Sequence, residues 1–273
     1  MADIYGSHFE YGNTSSRTYN LVFANMNTSR FMSIAGKIEG ITVFNKKIQA
    51  RYLVDDNYAN FPVSFDVEII TEDASPISIA NQRLIEKWLF NKHNYRKLYI
   101  DQVDDTQGVF SEMIDGSVKR LYLNCRFMNP ERIENDCNVI GYKATLEADS
   151  GLWWQDAVTQ TFDIEESGNY PVVVVDTDID EFTYPKVVIN VGSEGGDVII
   201  TNTTDSSTRL TKFVNLTANS IITIKGNTNY VSGQNYTKFE NMNFPRLLDG
   251  NNTFSIEGDV SSISFEFNNR RFL

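Results

Sequence analysis

The chain has 273 residues, of which 41% are hydrophobic; that is ample for a packed core and, at about 100 to 200 residues per domain, suggests two domains more readily than one. A formal net charge of −12 excludes a broad basic surface for tracking a phosphate backbone, so no specific nucleic-acid binding is expected. The opening MADIYGSHFEYG has neither a basic n-region nor an apolar h-region, and the longest valine run, Val172 to Val175, is too short to span a bilayer, so neither an export signal nor membrane insertion is expected.

The 18 Phe and 13 Tyr, with plentiful Val, Ile, Thr and Asn, favour β-structure. Ile41 to Val54 reads as one long strand or two shorter ones, because Asn45-Lys46-Lys47 interrupts its apolar period. In FPVSFDVEI, Phe61, Val63, Phe65, Val67 and Ile69 share one parity and Ser64, Asp66 and Glu68 the other, the pattern of a half-buried strand. The period then changes. Ser75 can cap, Pro76 suits a first helical position, and Ile77, Ala80, Leu84, Ile85, Trp88 and Leu89 recur at three- and four-residue spacing, which predicts one amphipathic helix from about Pro76 to about Asn91. His93 near its end reads as a solvated residue that suits the macrodipole.

Strands resume at Tyr95 to Ile100 and in RLYLNCRF, where Leu121, Leu123, Cys125 and Phe127 share a face. The acidic segment DQVDDTQGVFSEMIDGS between them reads as a long connection or an extended hairpin. The return strand places Ile140, Tyr142, Ala144 and Leu146 on one face. With the hairpin midpoint taken near Arg132, the residue facing Cys125 is expected near Ile140, so Cys125 and Cys137 are not expected to form a disulfide. A first domain is placed at residues 1–150, a junction at 151–157 and a second domain at 158–273. At the junction, the rings of Trp153 and Trp154 point to opposite sides of an extended segment, as a domain boundary needs; a sugar-stacking platform is the alternative.

Beyond the junction short strands recur between turn signals: Val172 to Val175, Lys186 to Val191, Asp197 to Thr201, Arg209 to Asn215, Ser220 to Lys225, Thr253 to Glu257 and Ser262 to Asn268. This is the habit of an antiparallel β-sandwich. In NFPRLLDGNNTFSIEG, the Asp249-Gly250-Asn251 turn precedes a strand with Phe254 and Ile256 on one face. A turn at Gly258-Asp259 then leads to Ile263, Phe265 and Phe267, predicting a final β-hairpin.

Chemistry-bearing motifs are scarce. The chain has no G-x-S-x-G, H-E-x-x-H, Walker A, G-x-G-x-x-G or C-x-x-C, and only His8 and His93 for imidazole chemistry. A carboxylate pair for glycoside hydrolysis remains open among 36 acids. DTDIDEF spaces Asp176, Asp178 and Asp180 like a calcium loop, but Glu181 and Val187 stand where the loop's glycine and bidentate glutamate belong, so a solvated acidic loop competes with a structural cation site. No enzyme activity, cofactor or metal is expected. Tyr230 and Tyr236, flanking the loop VSGQN, are the candidate glycan contacts, with packing over the sandwich edge as the alternative.

Three features together carry a resemblance: the lone helix SPISIANQRLIEKWL, the GLWW junction, and the closing segment FPRLLDGNNTFSIEGDVSSISFEFNNRRFL with its F-x-R-L-x-x-G-x-N element. The chain resembles the distal tail protein (Dit) family of long-tailed phages with non-contractile tails. The resemblance implies a mainly β chain of two domains: an N-terminal β-sandwich or barrel-like ring domain with one flanking helix, and a C-terminal galectin-like or carbohydrate-binding-module-like sandwich. It implies a hexameric ring at the virion tail tip, assembled in the host cytoplasm, with the tail tube protein and the tail-associated lysin or fibre protein as partners. The tape measure protein and a host saccharide are further candidates. The alternative function is that of a carbohydrate-binding module recognising a host surface glycan.

Overall fold

Alternating apolar and polar residues mark strands such as Ser64–Thr71 and Gly250–Glu257. The protein's computed structural model describes residues 6–24, 38–45, 50–58, 64–91, 94–101, 111–114, 117–164, 170–206 and 208–271. The chain divides into two units, Met1–Asp156 with Arg271–Leu273, and Ala157–Arg270. It is mainly β, with antiparallel sheets throughout the described residues.

The first unit contains β1 (Phe9–Tyr11), β2 (Thr14–Ser15), β3 (Leu21–Ala24), β4 (Ile38–Asn45), β5 (Ala50–Tyr58), β6 (Ser64–Thr71), α1 (Ile79–Leu89), β7 (Arg96–Ile100), β8 (Ser111–Ile114), β9 (Ser117–Asn135), β10 (Asn138–Ala148) and β11 (Trp153–Gln155). Its main sheet runs β2-β1-β7-β9-β10-β6-β3, with β8 and β11 pairing along the early part of β9. The Ile41 to Val54 run is two strands: β4 and β5 form their own ribbon, with Asn45 opposite Ala50. Expectations on Phe61, Val63 and His93 fall outside the described residues, as does much of the acidic segment after Ile100.

The β9–β10 hairpin differs from the expected one. Its turn lies at Asp136-Cys137, not near Arg132, so Cys125 faces Ala148 rather than Ile140. Asn129 and Pro130 explain the longer strand: the register shifts between Met128 and Glu131, and Asn129 takes a φ of 51° there, so a bulge accommodates the proline without ending the ladder. A second shift, between Val139 and Gly141, buries Val139 and leaves Ile140 half-exposed. Gly141 is required at that point, since a Cβ there would lie 2.3 Å from the Ile69 carbonyl oxygen. Both cysteines are free, Cys125 buried and Cys137 exposed.

The helix also begins later than its spacing implies. The Ile77 N–H donates to the Val139 carbonyl at 2.7 Å, which ties that residue to the sheet. The cap is therefore Ser78, whose Oγ accepts from Asn81 N at 3.2 Å. The helix buries only Ile85, Trp88 and Leu89; Ala80 and Leu84, expected on the same stripe, are exposed. Trp88 enters an aromatic core with Phe9, Phe23 and Phe127, and its Nε1–H donates to Tyr11 O at 2.9 Å.

The second unit contains β12 (Val158–Asp163), β13 (Val172–Val175), β14 (Lys186–Val191), β15 (Gly196–Asn202), β16 (Leu210–Leu216), β17 (Ile221–Lys225), β18 (Tyr230–Val231), β19 (Gly250–Glu257) and β20 (Val260–Phe267). The short β21 (Arg270–Arg271) closes the described residues. Two sheets, β12-β20-β14-β17-β18 and β13-β19-β15-β16, form the sandwich. The predicted final hairpin does not form. β19 and β20 belong to different sheets, and Gly258-Asp259 carries the chain from one to the other. Gly258 has a φ of 100°, and a Cβ on it would sit 2.1 Å from the Asp197 carbonyl oxygen. Asp259 is committed elsewhere: its Oδ2 accepts from Gly195 N at 2.8 Å and from Glu194 N. β12 lies outside the expected set of strands, since its Thr-Gln-Thr centre carries little apolar signal.

Candidate functional site

The F-x-R-L-x-x-G-x-N element is densely bonded to the rest of the second unit. Leu247 and Asn252 are fully buried. The Asn252 amide accepts from Leu248 N at 2.8 Å and from Asn202 Nδ2 at 2.9 Å. It donates to Leu248 O at 2.8 Å and Gly250 O at 3.1 Å, satisfying both ends of the side chain. Arg246 makes a two-pronged bond to Asp205, Nε to Oδ2 at 2.8 Å and Nη2 to Oδ1 at 2.9 Å, while its guanidinium lies 3.5 Å from the centroid of the Phe182 ring. The Asp205 pair and Tyr184 both hold the arginine in its charged form. Gly250, at a φ of 83°, allows the turn into β19. The element therefore organises the sandwich.

Tyr230 and Tyr236 are exposed, 47% and 61% respectively. Tyr230 lies on β18 opposite Lys225, whose Nζ is 5.7 Å from its ring. Tyr236 belongs to the 3-10 segment Gly233–Lys238, held down where Phe239 stacks on Phe213 at 4.7 Å. Both hydroxyphenyl groups are thus displayed from anchored backbone.

The other candidates have structural places. Trp153 is buried in the first unit's core; Trp154 is half-buried and its Nε1–H donates to Ser150 Oγ at 3.3 Å. Trp153 therefore cannot be a sugar platform. In DTDIDEF, Thr177 and Ile179 are buried, with Thr177 N donating to Asp249 Oδ1 at 2.9 Å and Asp178 N to Arg270 O at 2.9 Å. Among the described residues no group of three or more His, Cys, Asp or Glu is arranged to hold a metal. His8 Nδ1 lies 2.9 Å from Leu21 O.

Two surface features of the first unit escape sequence patterning. On the sheet face away from the core, Lys97 Nζ sits 3.8 Å above the Tyr122 ring and the Arg120 guanidinium 3.8 Å above that of Tyr99, whose hydroxyl donates to Asp156 at 2.8 Å. Burial first, then the acids Asp156 and Asp149, push the Tyr122 hydroxyl up to about 12. The second feature is a groove of about 270 Å³ lined by Glu86, Phe90, Pro130, Glu131, Arg132 and Tyr142. Arg132 Nε and Nη2 both donate to Glu86 Oε1, at 3.0 and 2.7 Å, and Phe90 meets Tyr142 edge-on at 5.6 Å. Burial and the neighbouring Glu86 push the Tyr142 hydroxyl up to about 12. The only sequence signal for this groove is the Asn129-Pro130 pair, which bulges β9 beside the helix end.

Residues 4–150 match the family described as phage tail protein N-terminal domain, and residues 153–267 that described as phage tail C-terminal domain. Comparison with curated protein sequences gives no match. Among solved structures the chain is similar to the Dit protein of phage SPP1, described as a paradigm of the hub adsorption apparatus in phages that infect Gram-positive bacteria. The TM-score is 0.66 at 10% identity, over 97% of this chain and 99% of that one. It is also similar to chains of the phage P2 baseplate in its activated conformation. The calcium form gives a TM-score of 0.52 at 8% identity, and the strontium form 0.54 at 9%, each over 98% of this chain and 99% of that one. At these identities the likeness is one of fold. The chain belongs to the phage tail protein family of the two matched domains, and it carries a Dit-like fold.

Proposed function

We propose that the chain is the distal tail protein of a phage with a long non-contractile tail. In this reading six copies close a hub ring at the tail tip, beneath the tail tube protein and above the tail-associated lysin or fibre protein, with the tape measure protein ending at the same hub. The domain of residues 1–150 forms the ring, 151–157 is the junction, and 158–273 projects as an attachment point. The observation that carries this is end-to-end correspondence with a hub protein fold, over 97% of the chain, in a chain whose two halves both match phage tail domains. Assembly takes place in the host cytoplasm and the product resides in the virion. Native mass spectrometry of the full chain, paired with cryo-electron microscopy of virions, tests it: a mass near six subunits and density for this chain at the tail tip are expected. Density elsewhere in the virion would overturn the reading.

A second reading rests on Tyr230 and Tyr236, displayed at 47% and 61% exposure: the C-terminal domain binds a host saccharide through these rings. Glycan-array binding by the full chain, lost in a Tyr230→Ala, Tyr236→Ala double variant, is the expected result. Absence of binding by the unaltered chain removes it.

A further inference from the structure

Beside the Arg246–Asp205 pair, the second unit holds a buried donor that its own side chains and backbone do not satisfy. Arg209 stands just ahead of β16, its Nη2 reaching the Phe244 carbonyl at a long 3.5 Å. Its Nε is buried and has no hydrogen-bond partner among the described residues. A donor left in that state loses its hydration and gains nothing in return, which is why native proteins nearly always supply a partner, from the chain or from ordered solvent. Arg209 also lines a cavity of about 10 Å³, whose other polar walls are Asn202, Asp205, Thr211 and Arg246.

Three properties of this cavity define what it takes. Its volume matches the roughly 10 to 15 Å³ that one water needs and excludes anything much larger. Its charges disfavour ions: Arg209 and Arg246 repel a cation, and Asp205, its side chain 7% exposed, repels an anion. Its unused bonding capacity calls for a molecule that both accepts and donates. Each Asp205 oxygen takes one bond from Arg246, at 2.8 and 2.9 Å, and keeps a lone pair. Thr211 Oγ1 gives its proton to Asn243 O at 2.7 Å and keeps its own acceptors.

We infer that the cavity binds one ordered water, which accepts from Arg209 Nε–H and donates to Asp205 and to Thr211 Oγ1. Three bonds are the usual complement of a buried water. The water relays the second arginine to the carboxylate that already holds the first, so Asp205 answers both Arg246 on the closing element and Arg209 at the head of β16. The β15–β16 connection and the closing element are thereby joined through solvent as well as directly. This site is independent of the hub and saccharide readings.

The test is a crystal structure of the full chain at a resolution that shows ordered solvent, with a bromide-soaked crystal as a second arm. One well-ordered water within about 3.2 Å of both Arg209 Nε and Asp205 is expected, with no anomalous peak after the soak. A bromide peak makes this an anion site and overturns the inference, as does Arg209 Nε bonded directly to a protein atom with no solvent between. In Arg209→Met, which keeps an unbranched stem but has no donor, the Arg246–Asp205 bonds should persist while the water is lost. A water that stays in place in that variant is held without Arg209, which overturns the bridge.

Discussion

Phe254 on β19 and Phe265 on β20 face each other across the sandwich core, ring centroids 4.6 Å apart at 36°. Their strands are joined by only two residues, Gly258 and Asp259, yet belong to different sheets. The pair therefore joins the two layers rather than two neighbours within one. Phe254→Ala is expected to lower unfolding free energy by about 3 to 5 kcal/mol, measured by urea denaturation. A loss below 1 kcal/mol would mean that the rings are not core.

That arrangement shows where sequence reading reaches its limit. Short β-branched runs between turn signals, VVVV at Val172 to Val175 and KVVINV at Lys186 to Val191, mark strands whose observed bounds match the expected ones, because β-branched side chains favour extended backbone. Alternation is silent on the partner: Phe254 and Ile256 face a core equally well in a hairpin or in an arch. What selects the arch is tertiary, namely Gly258 pressed against Asp197 and Asp259 bonded to Glu194 and Gly195. The helix start is hidden for the same kind of reason, since the Ile77–Val139 bond joins residues far apart in sequence. In the candidate site, the turn at Asp249-Gly250 is readable from residue type, but the bond from Arg246 to Asp205 is not.

That bond is the next point to test. Asp205 is nearly enclosed, its side chain 7% exposed against 23% for Arg246. Asp205→Asn keeps the shape and discards the charge. A loss of about 1.5 to 3 kcal/mol is expected, with increased motion of Phe182 and the closing segment in hydrogen exchange. An unchanged melt would show that the closing element is held by Asn252 alone.

The hairpin turn of β9–β10 places Asp136 at φ 48° and Cys137 at φ 64°, a left-handed pair that suits glycine and burdens an ordinary side chain by about 1 to 2 kcal/mol. Cys137→Gly should relieve that strain, offset in part by unfolded-state entropy, for a net gain of about 0.5 to 1 kcal/mol. The same region gives a chemical check. Iodoacetamide should modify Cys137 in the folded protein and Cys125 only after denaturation, because burial pushes the Cys125 thiol far up as well as hiding it.

Glu147 supplies a pH dependence. The Tyr95 hydroxyl donates to its Oε1 at 2.7 Å and Arg126 Nε donates to the same atom at 2.7 Å; the tyrosine bond first, then the arginine, hold the carboxyl below its ordinary value of 4.5. A carboxyl depressed in the folded state stabilises the protein above its unfolded value, and the contribution is lost as pH falls through the folded value. Glu147→Gln should therefore be less stable than the unaltered chain near neutral pH, the gap narrowing as pH drops below about 4.5. Denaturant melts across that range would expose a constant gap, which would assign the effect to packing instead.

The free edge of β13 has an unusual partner. Val174 N donates to Gln160 Oε1 at 3.0 Å and Gln160 Nε2 donates to Val174 O at 2.7 Å, so a side-chain amide from β12 occupies the hydrogen-bonding positions that another strand would take. Val172 and Val174 are exposed on that edge, 41% and 50%, and β13 carries no charge of its own to discourage pairing. Removing the amide by Gln160→Ala costs two modest bonds, about 1 to 2 kcal/mol together, and leaves the edge open. Gln160→Glu loses the bond to the Val174 carbonyl but retains an acceptor for its N–H and adds a negative charge beside the edge. Both variants should melt earlier than the parent, while light scattering should rise with time only for Gln160→Ala. Equal scattering from both would assign the device to stability alone, because an edge guarded by the amide becomes sticky only when neither amide nor charge stands over it.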